Sequence, residues 1–174
     1  MNNITTKRLV RTALIAAIYV VLTLLFAPIS YGGVQFRVSE VLVLLAFFDP
    51  FYIGGLTLGC FIANMLGPNG PADIIIGTFA TFLSVGAISL TAKFMKNKVS
   101  LFVSSLWPAV FNGILIGLEL SLFITPDVPF WINGLQVAAG ELVVISIVGV
   151  PVFTVLKNKY PSLLRENKTK LSEN

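Results

Sequence analysis

Carboxyl and carboxamide side chains inside long apolar stretches are the residues of this sequence with the clearest chemistry. Glu119 and Glu141 each lie within such a stretch, and Asn112 precedes Glu119 by seven residues, which places both on one face of a helix. A charged group at the centre of a membrane costs roughly 2.5–3.5 kcal/mol on insertion scales. Such groups must pair, take up a proton or face water, so together they predict a polar binding cavity.

Further polar and aromatic residues fall near the same layer of the predicted helices. Carboxylates accept N–H groups, carboxamides both donate and accept, and aromatic rings can stack on a flat ligand. The candidate substrate-binding residues are Phe36, Arg37, Glu40, Asn64, Asp73, Asn112, Glu119, Trp131, Gln136 and Glu141. Their mixture of acceptors, amides and rings indicates a small polar ligand.

Some of these residues also have a local structural explanation. Asp73 follows Pro71 at a helix start, where a carboxylate complements the helix dipole. Arg37 and Glu40 are three residues apart and could pair with each other. Asp49 precedes a proline, and there helix capping is the better interpretation. The two carboxylates inside long apolar helices have no such explanation, so a functional role is favoured for them.

The composition excludes a soluble domain. Of the 174 residues, 56% are hydrophobic and 11% are charged, whereas soluble domains carry about 25% charged residues. The chain is therefore predicted to be an all-α integral membrane protein. Membrane topology accounts for the excess of 12 Lys+Arg over 8 Asp+Glu, so no nucleic-acid partner is expected.

Several kinds of chemistry lack their residues in this sequence. There is no His, and Cys60 is the single cysteine, which excludes His-dependent catalysis, an internal disulfide and a Cys-based zinc site. The phosphate-binding G-x-x-x-x-G-K-[ST] loop, the nucleophile elbow and the HExxH motif are also missing. We therefore expect no enzyme activity, metal or cofactor, and energy would have to come from partners.

Six apolar runs predict six transmembrane helices in a single domain, 9–156, between an amino-terminal segment, 1–8, and a basic tail, 157–174. The runs are 9–27, 38–48, 51–66, 72–92, 101–123 and 131–156. The second run is short for a crossing of about 20 residues, so it is expected to begin a turn before Val38. If all six cross, eleven of the twelve basic residues lie on one side, and Arg37 is the exception. Because basic residues concentrate on the cytoplasmic side, both termini are predicted to be cytoplasmic.

This topology places most of the candidate polar residues towards the outer face, with apolar helix ends below them. The sequence thus predicts a polar cavity that is open to the outside and sealed towards the cytoplasm.

Small residues recur every four positions on three of the predicted helices. They are Gly55, Gly59 and Ala63 on the third, Gly113 and Gly117 on the fifth, and Ala13 and Ala17 on the first. Such spacing permits close helix packing. The alanine pair has two interpretations, either internal packing or a docking surface for another membrane protein.

Several short stretches resemble a known family. They are Gln35-Phe36-Arg37-Val38-Ser39-Glu40, Phe47-Phe48-Asp49-Pro50, Gly59-Cys60 and Ala63-Asn64. Together they are similar to the queuosine-precursor transporter family, whose members are substrate-binding S components of energy-coupling factor (ECF) transporters. The resemblance covers roughly residues 7–157, and the Ala13-x-x-x-Ala17 spacing resembles the S-component motif on the first helix.

The resemblance implies a fold, partners and a ligand. The fold would be the six-helix S-component fold in the cell membrane. The partners would be a transmembrane coupling subunit, faced by Ala13 and Ala17, and two ATPase subunits. The substrate would enter from outside beneath the loop after the first helix, and the whole subunit would topple in the membrane, powered by ATP hydrolysis in the partners. The ligand would be a deazaguanine base that carries an aminomethyl or nitrile group.

The candidate residues suit that ligand. A carboxylate, Glu141 or Glu119, would accept the N–H groups of the guanine-like edge. Glu40 or Asp73 would meet an aminomethyl cation. The side-chain amides that would supply further contacts are those of Asn64, Asn112 and Gln136.

Three other functions remain compatible with the residues. The chain could be a stand-alone transporter, passive or proton-coupled, in which Glu119 and Glu141 carry protons. It could be an S component for another vitamin-like heterocycle. It could also be a membrane scaffold whose acidic residues are structural.

Overall fold

The computed structural model describes residues 3–160, and every regular element in that range is helical. The α-helices are α1 (Asn3–Leu25), α2 (Ala27–Ser30), α3 (Leu45–Phe48), α4 (Tyr52–Met65), α5 (Pro71–Phe94), α6 (Ser100–Glu119), α7 (Phe130–Glu141) and α8 (Val150–Lys159). A 3-10 helix, Val38–Leu44, leads into α3, and π-helical turns follow α6 (Leu120–Ile124) and α7 (Leu142–Gly149). Most of the predicted basic tail, with Arg165, Lys168 and Lys170, lies outside the described residues.

Four helical stretches are long and apolar enough to cross a membrane. They are Thr6–Leu25, Pro71–Phe94, Ser100–Ile124 and Phe130–Lys159, with shorter apolar helices at Val38–Phe48 and Tyr52–Met65. All six overlap the predicted apolar runs, and the all-helical class is confirmed for the described chain. The number of crossings and the side of the termini stay predictions.

The second apolar helix does not begin a turn before Val38, where the sequence predicted its start. Arg37 has an extended backbone, with φ −84° and ψ 90°, so the 3-10 helix begins at Val38. Its 3-10 turns and the short α3 together give a length of roughly 20 Å. This is less than the hydrocarbon thickness of about 30 Å. The helix is short because Arg37 lies in an extended segment with its side chain buried in the protein.

A proline lies just beyond each of the two π-helical turns, although Pro108 lies within α6 without such a turn. Pro151 lies at the start of α8, directly after the π turn that ends at Gly149. A proline in a helix lacks an N–H and its ring clashes with the carbonyl four residues earlier, and a wider turn relieves both problems. At the end of the other π turn, the Thr125 N–H donates to the Leu120 carbonyl at 2.6 Å, just before Pro126.

Small residues determine which helices pack closely. A Cβ on Gly59 would lie 2.8 Å from Tyr19 Cβ, so α4 presses against α1. A Cβ on Gly117 would lie 2.6 Å from Gly134 Cα, so α6 presses equally closely against α7. The glycine spacing on these helices therefore serves internal packing.

The bundle has a polar end and a large apolar core. We call the end formed by residues 31–37, 66–70 and 125–129 the loop end. The apolar core is built from α1, the 3-10 helix, α3, α4, α5 and the last long apolar stretch, Phe130–Lys159. Residues of this core that are fully buried include Leu44, Leu56, Ile88 and Ile145.

The α6–α7 contact gives a stability prediction. Gly117→Ala should destabilise the protein by about 1–3 kcal/mol because the added methyl group meets the backbone of α7. The control is Gly54→Ala, where a Cβ would meet nothing within 4 Å and alanine is the better helix former. Thermal unfolding of both variants in detergent tests this, and equal melting temperatures would contradict the packing.

Candidate functional site

Arg37 is the centre of a buried polar cluster at the loop end. Its side chain is 4% exposed, its Nη2 lies 3.9 Å from Asp73 Oδ1, and its guanidinium carbon lies 5.6 Å from the centre of the Tyr31 ring. Its charge acts on four carboxyl groups, those of Glu40, Asp73, Glu119 and Glu141. The ion pair of Arg37 is therefore made with Asp73, and not with Glu40 as the local spacing allowed.

Glu40 is fixed by hydroxyl groups from two neighbouring helices. Its Oε1 accepts hydrogen bonds from Tyr19 Oη on α1 and from Thr81 Oγ1 on α5, the latter at 3.5 Å. Thr81 Oγ1 also lies 3.2 Å from Cys60 Sγ on α4. These contacts attach the 3-10 helix to the helices around it, so Glu40 has a structural function whatever else it does.

Asn64 joins α4 to the first turn of α5. Its Nδ2 donates to the Asp73 carbonyl oxygen at 3.0 Å and to Cys60 Sγ at 3.5 Å. Gly77 leaves room for this arrangement, since a Cβ there would lie 2.7 Å from Asp73 Oδ1. Asn64 thereby holds the first turn of α5 beside Arg37.

Glu141 and Asn112 form a hydrogen bond between α7 and α6. Asn112 Nδ2 donates to Glu141 Oε1 at 2.5 Å, and both side chains are buried. Glu119 lies at the end of α6 and is fully buried. Both glutamates are the last residue before a π-helical turn, a feature that is frequent at functional sites.

The cluster contains more unpaired acceptors than unpaired donors. Within the described chain, Glu40 Oε2, Glu141 Oε2 and both carboxyl oxygens of Glu119 are buried and have no hydrogen-bond partner. Asn64 Oδ1 and both carboxyl oxygens of Asp73 also lack a hydrogen-bond partner there. The unpaired donors among the described residues of the loop end belong to Arg37, Gln35 and Asn69. A buried acceptor left unpaired costs about 1–3 kcal/mol, and more if it is charged. The arrangement therefore suits a ligand with several N–H groups or a positive charge.

The structure brings seven of the ten predicted binding residues together and leaves three at the surface. Those in the cluster are Arg37, Glu40, Asn64, Asp73, Asn112, Glu119 and Glu141. Phe36 is 36% exposed, Trp131 is 62% exposed, and Gln136 is also exposed. Trp131 lines an apolar surface groove of about 380 Å³ between α6 and α7, and none of the four carboxyl groups lines it.

Two further predicted features have clear positions. Asp49 accepts a hydrogen bond from the Phe51 N–H at 3.0 Å, which agrees with the capping interpretation. Ala13 and Ala17 are exposed on α1, whereas the Ala16 side of the same helix faces α4.

Sequence reasoning missed several residues of the cluster. Tyr19 and Thr81 lie in apolar helices with no spacing that marks them, and their partners become visible only in three dimensions. Tyr31 donates from its hydroxyl to the Ala63 carbonyl at 2.6 Å, and burial raises the pKa of this hydroxyl, so it remains a donor at neutral pH. The sequence marks Gln35 only as part of a motif, although its side chain is buried in the same region.

Comparison with known proteins agrees with the motif resemblance. The model of a family described as QueT transporter matches residues 9–158. A curated protein of Lactococcus lactis subsp. cremoris (strain MG1363), named "Queuosine precursor transporter QueT", is 36% identical over 154 residues, and the match covers 81% of this chain and 87% of that protein. No solved structure matches the chain significantly.

The Tyr19–Glu40 hydrogen bond gives a second stability prediction. Tyr19→Phe removes a donor from a buried carboxylate and should lower stability by about 1–3 kcal/mol. In a Glu40→Gln background the same change should cost less, because the acceptor that loses the tyrosine hydroxyl is then a neutral amide oxygen. Thermal unfolding of the four proteins forms a double-mutant cycle, and equal costs in both backgrounds would contradict the assignment.

Proposed function

The chain belongs to the QueT transporter family, and from this premise we propose that it is the substrate-binding S component of an ECF-type importer. It captures a queuosine precursor, a deazaguanine base, outside the cell for ATP-driven uptake. The observation that carries the proposal is the excess of unpaired carboxylate oxygens buried around Arg37 at the loop end.

The chemistry of a deazaguanine fits this excess. Its guanine-like edge presents adjacent N–H donors, which a carboxylate can accept with two oxygens. An aminomethyl substituent adds an ammonium group, which a second carboxylate can neutralise. A buried site with four carboxyl groups and a single guanidinium accommodates both groups better than it accommodates an anion.

The protein contacts divide the four carboxyl groups into two roles. Glu40 already accepts from two hydroxyl groups, and Asp73 already faces Arg37. We assign these two to positioning, with a direct contact to an aminomethyl cation as their further candidate role. Within the described chain, all four carboxyl groups keep an oxygen without a hydrogen-bond partner. Among the same residues, Glu119 and Glu141 have neither an ion pair with Arg37 nor two hydroxyl donors, so we assign these two to the ligand.

The two asparagines of the cluster are assigned to support. Asn112 orients Glu141 through the hydrogen bond between α6 and α7. Asn64 holds the first turn of α5, and with it Asp73, at the edge of the site. Either amide could also contact the ligand with its remaining polar atoms.

The three exposed candidates are assigned to the entrance of the site. Phe36, Trp131 and Gln136 lie at the protein surface. Gln136 supports this placement because its Oε1 lies 3.4 Å from where a Cβ on Gly33, in the loop 31–37, would be. A ligand that enters beneath this loop would pass these side chains first.

Energy for uptake would come from partner subunits. The sequence has no nucleotide-binding loop, so a coupling subunit and two ATPase subunits would supply ATP hydrolysis and the chain itself would not be an enzyme. Ala13 and Ala17 support a docking role because they place small side chains on the exposed side of α1. Six crossings with both termini in the cytoplasm, in the cell membrane, complete the proposal.

A stand-alone transporter is the second candidate. The observation that favours it is the burial of Glu119 and Glu141 with unpaired oxygens, since such groups also suit proton carriers. Vesicles that contain only this chain distinguish the two: uptake without partner subunits supports the second candidate, and uptake only with the ECF module and ATP supports the first.

The first functional prediction concerns the ligand carboxylates. Glu119→Gln and Glu141→Gln should each weaken binding of an aminomethyl deazaguanine about ten- to a hundredfold, because each replaces an acceptor oxygen of the carboxyl group with an NH2 donor. Asp127→Asn, at an exposed loop carboxylate, is the matched control and should leave affinity unchanged. Isothermal titration calorimetry measures all three, and unchanged affinity in both glutamate variants would remove the carboxylate-edge contact.

The second functional prediction concerns docking. Ala17→Trp should abolish ATP-dependent uptake by vesicles that contain the partner subunits, because the indole keeps α1 away from the coupling subunit, while substrate affinity stays unchanged. Ile18→Trp is the control, since this residue is exposed on α1 but turned away from Ala17 by about 100°, and it should retain uptake. Full uptake by the Ala17→Trp protein would place the docking surface elsewhere.

A further inference from the structure

Gln35 has an unusual backbone conformation and a buried side chain. Its φ is +48°, and it is the one residue other than glycine with a positive φ in the described chain. Its side chain is 4% exposed, and Nε2 is buried without a hydrogen-bond partner among the described residues. Glycine adopts this backbone region without strain, whereas glutamine does so unfavourably. The loop thus has a glutamine where backbone geometry alone favours glycine.

The loop's own backbone does not explain the glutamine. The Gln35 N–H donates to the Gly32 carbonyl at 3.1 Å, and the Gln35 carbonyl accepts from the Arg37 N–H at 2.8 Å. Any residue with a backbone N–H would make these two bonds. The side-chain amide is the part that is specific to glutamine, and strained residues of this kind cluster at ligand-contacting sites.

The backbone of Gln35 packs against α7 at the residue before Glu141. A Cβ on Gly140 would lie 3.1 Å from the Gln35 carbonyl oxygen, and Gly140 directly precedes Glu141. The same region therefore contains a buried amide donor and, on the neighbouring helix, a buried carboxylate oxygen, Glu141 Oε2, and both lack partners within the described chain. One donor and a carboxylate are the complement of a guanine-like edge, which presents a carbonyl oxygen next to two kinds of N–H group.

We propose that Gln35 is a ligand-contacting residue whose side-chain amide donates to the ring carbonyl oxygen of the bound base. It thereby contributes to selection of an oxo base. The inference rests on the proposed function, and it adds a residue and a specificity that the family resemblance does not supply.

The test combines one change in the protein with one change in the ligand. The probes are an aminomethyl deazaguanine and its analogue in which sulfur replaces the ring carbonyl oxygen, because this analogue keeps every N–H group but accepts hydrogen bonds poorly. Calorimetry on the detergent-purified chain compares the wild type with Gln35→Gly, which tolerates the positive φ and lacks the amide. Asn97→Ala, at an exposed residue between α5 and α6, is the control.

We expect Gln35→Gly to discriminate less than the wild type between the oxygen base and its sulfur analogue. The exchange of oxygen for sulfur should weaken binding to the wild type and to Asn97→Ala about tenfold, and to Gln35→Gly less than about threefold. Gln35→Glu should bind the oxo base more weakly than Gln35→Gly does, because it sets a carboxylate against a carbonyl oxygen. Melting temperatures establish whether each variant is folded.

The possible results distinguish failure of the role of Gln35 from failure of the proposed function. An equal oxygen-to-sulfur effect in the wild type and Gln35→Gly, with the wild type binding the base, would overturn the role of Gln35 and leave the proposed function intact. If Gln35→Gly is unfolded, the Gln35→Glu protein provides the test. Binding of the oxo base by Gln35→Glu with the affinity of the wild type would then overturn the role of Gln35. No binding of either base by the wild type would overturn the proposed function, and the role of Gln35 with it.

Discussion

A buried guanidinium needs partners that replace water, and the loop end of this protein is arranged around that requirement. Removing an ion from water costs several kcal/mol in a real protein unless partners replace the solvent. For Arg37 the Asp73 carboxylate, the face of Tyr31 and the nearby Glu40 carboxyl group offset this penalty. The second apolar helix begins directly after Arg37, whose own backbone is extended.

The two halves of the bundle contribute unequally to the polar network. On the side of α1, α4 and α5, hydroxyl and amide donors from Tyr19, Thr81 and Asn64 hold the polar groups in fixed positions. On the side of α6 and α7, the Asn112–Glu141 bond is made and carboxylate oxygens remain unpaired. In the described chain, buried acceptors without partners lie on both sides, Glu40 Oε2 and the Asp73 oxygens on the first and oxygens of Glu119 and Glu141 on the second. A ligand with several donors would complete this polar network.

The sequence predicted the features whose signal is composition and missed those that arise from tertiary contacts. Long apolar runs bounded by proline and glycine leave few alternatives, so α5 and α6 agree closely with their predicted runs. Glu119 and Glu141 are conspicuous inside such runs, and residue type alone singles them out. The start of the second helix was predicted wrongly because length favoured extending it, whereas Arg37 has an extended backbone and a buried side chain. Tyr19 and Thr81 suit any membrane helix, and only the fold shows what their hydroxyl groups contact.

The distribution of unpaired atoms also bears on how ligand binding and the loop 31–37 would be coupled. An acceptor-rich pocket destabilises the protein that contains it, and a ligand that supplies donors removes this penalty. Binding of such a ligand should therefore stabilise the helices on both sides of the cluster. Because the loop 31–37 contacts both sides, through Tyr31 on Ala63 and through Gln35 beside Gly140, a ligand held at Glu141 would also fix the loop. Under the proposed function, occupancy of the site and the position of this loop would therefore be parts of one equilibrium.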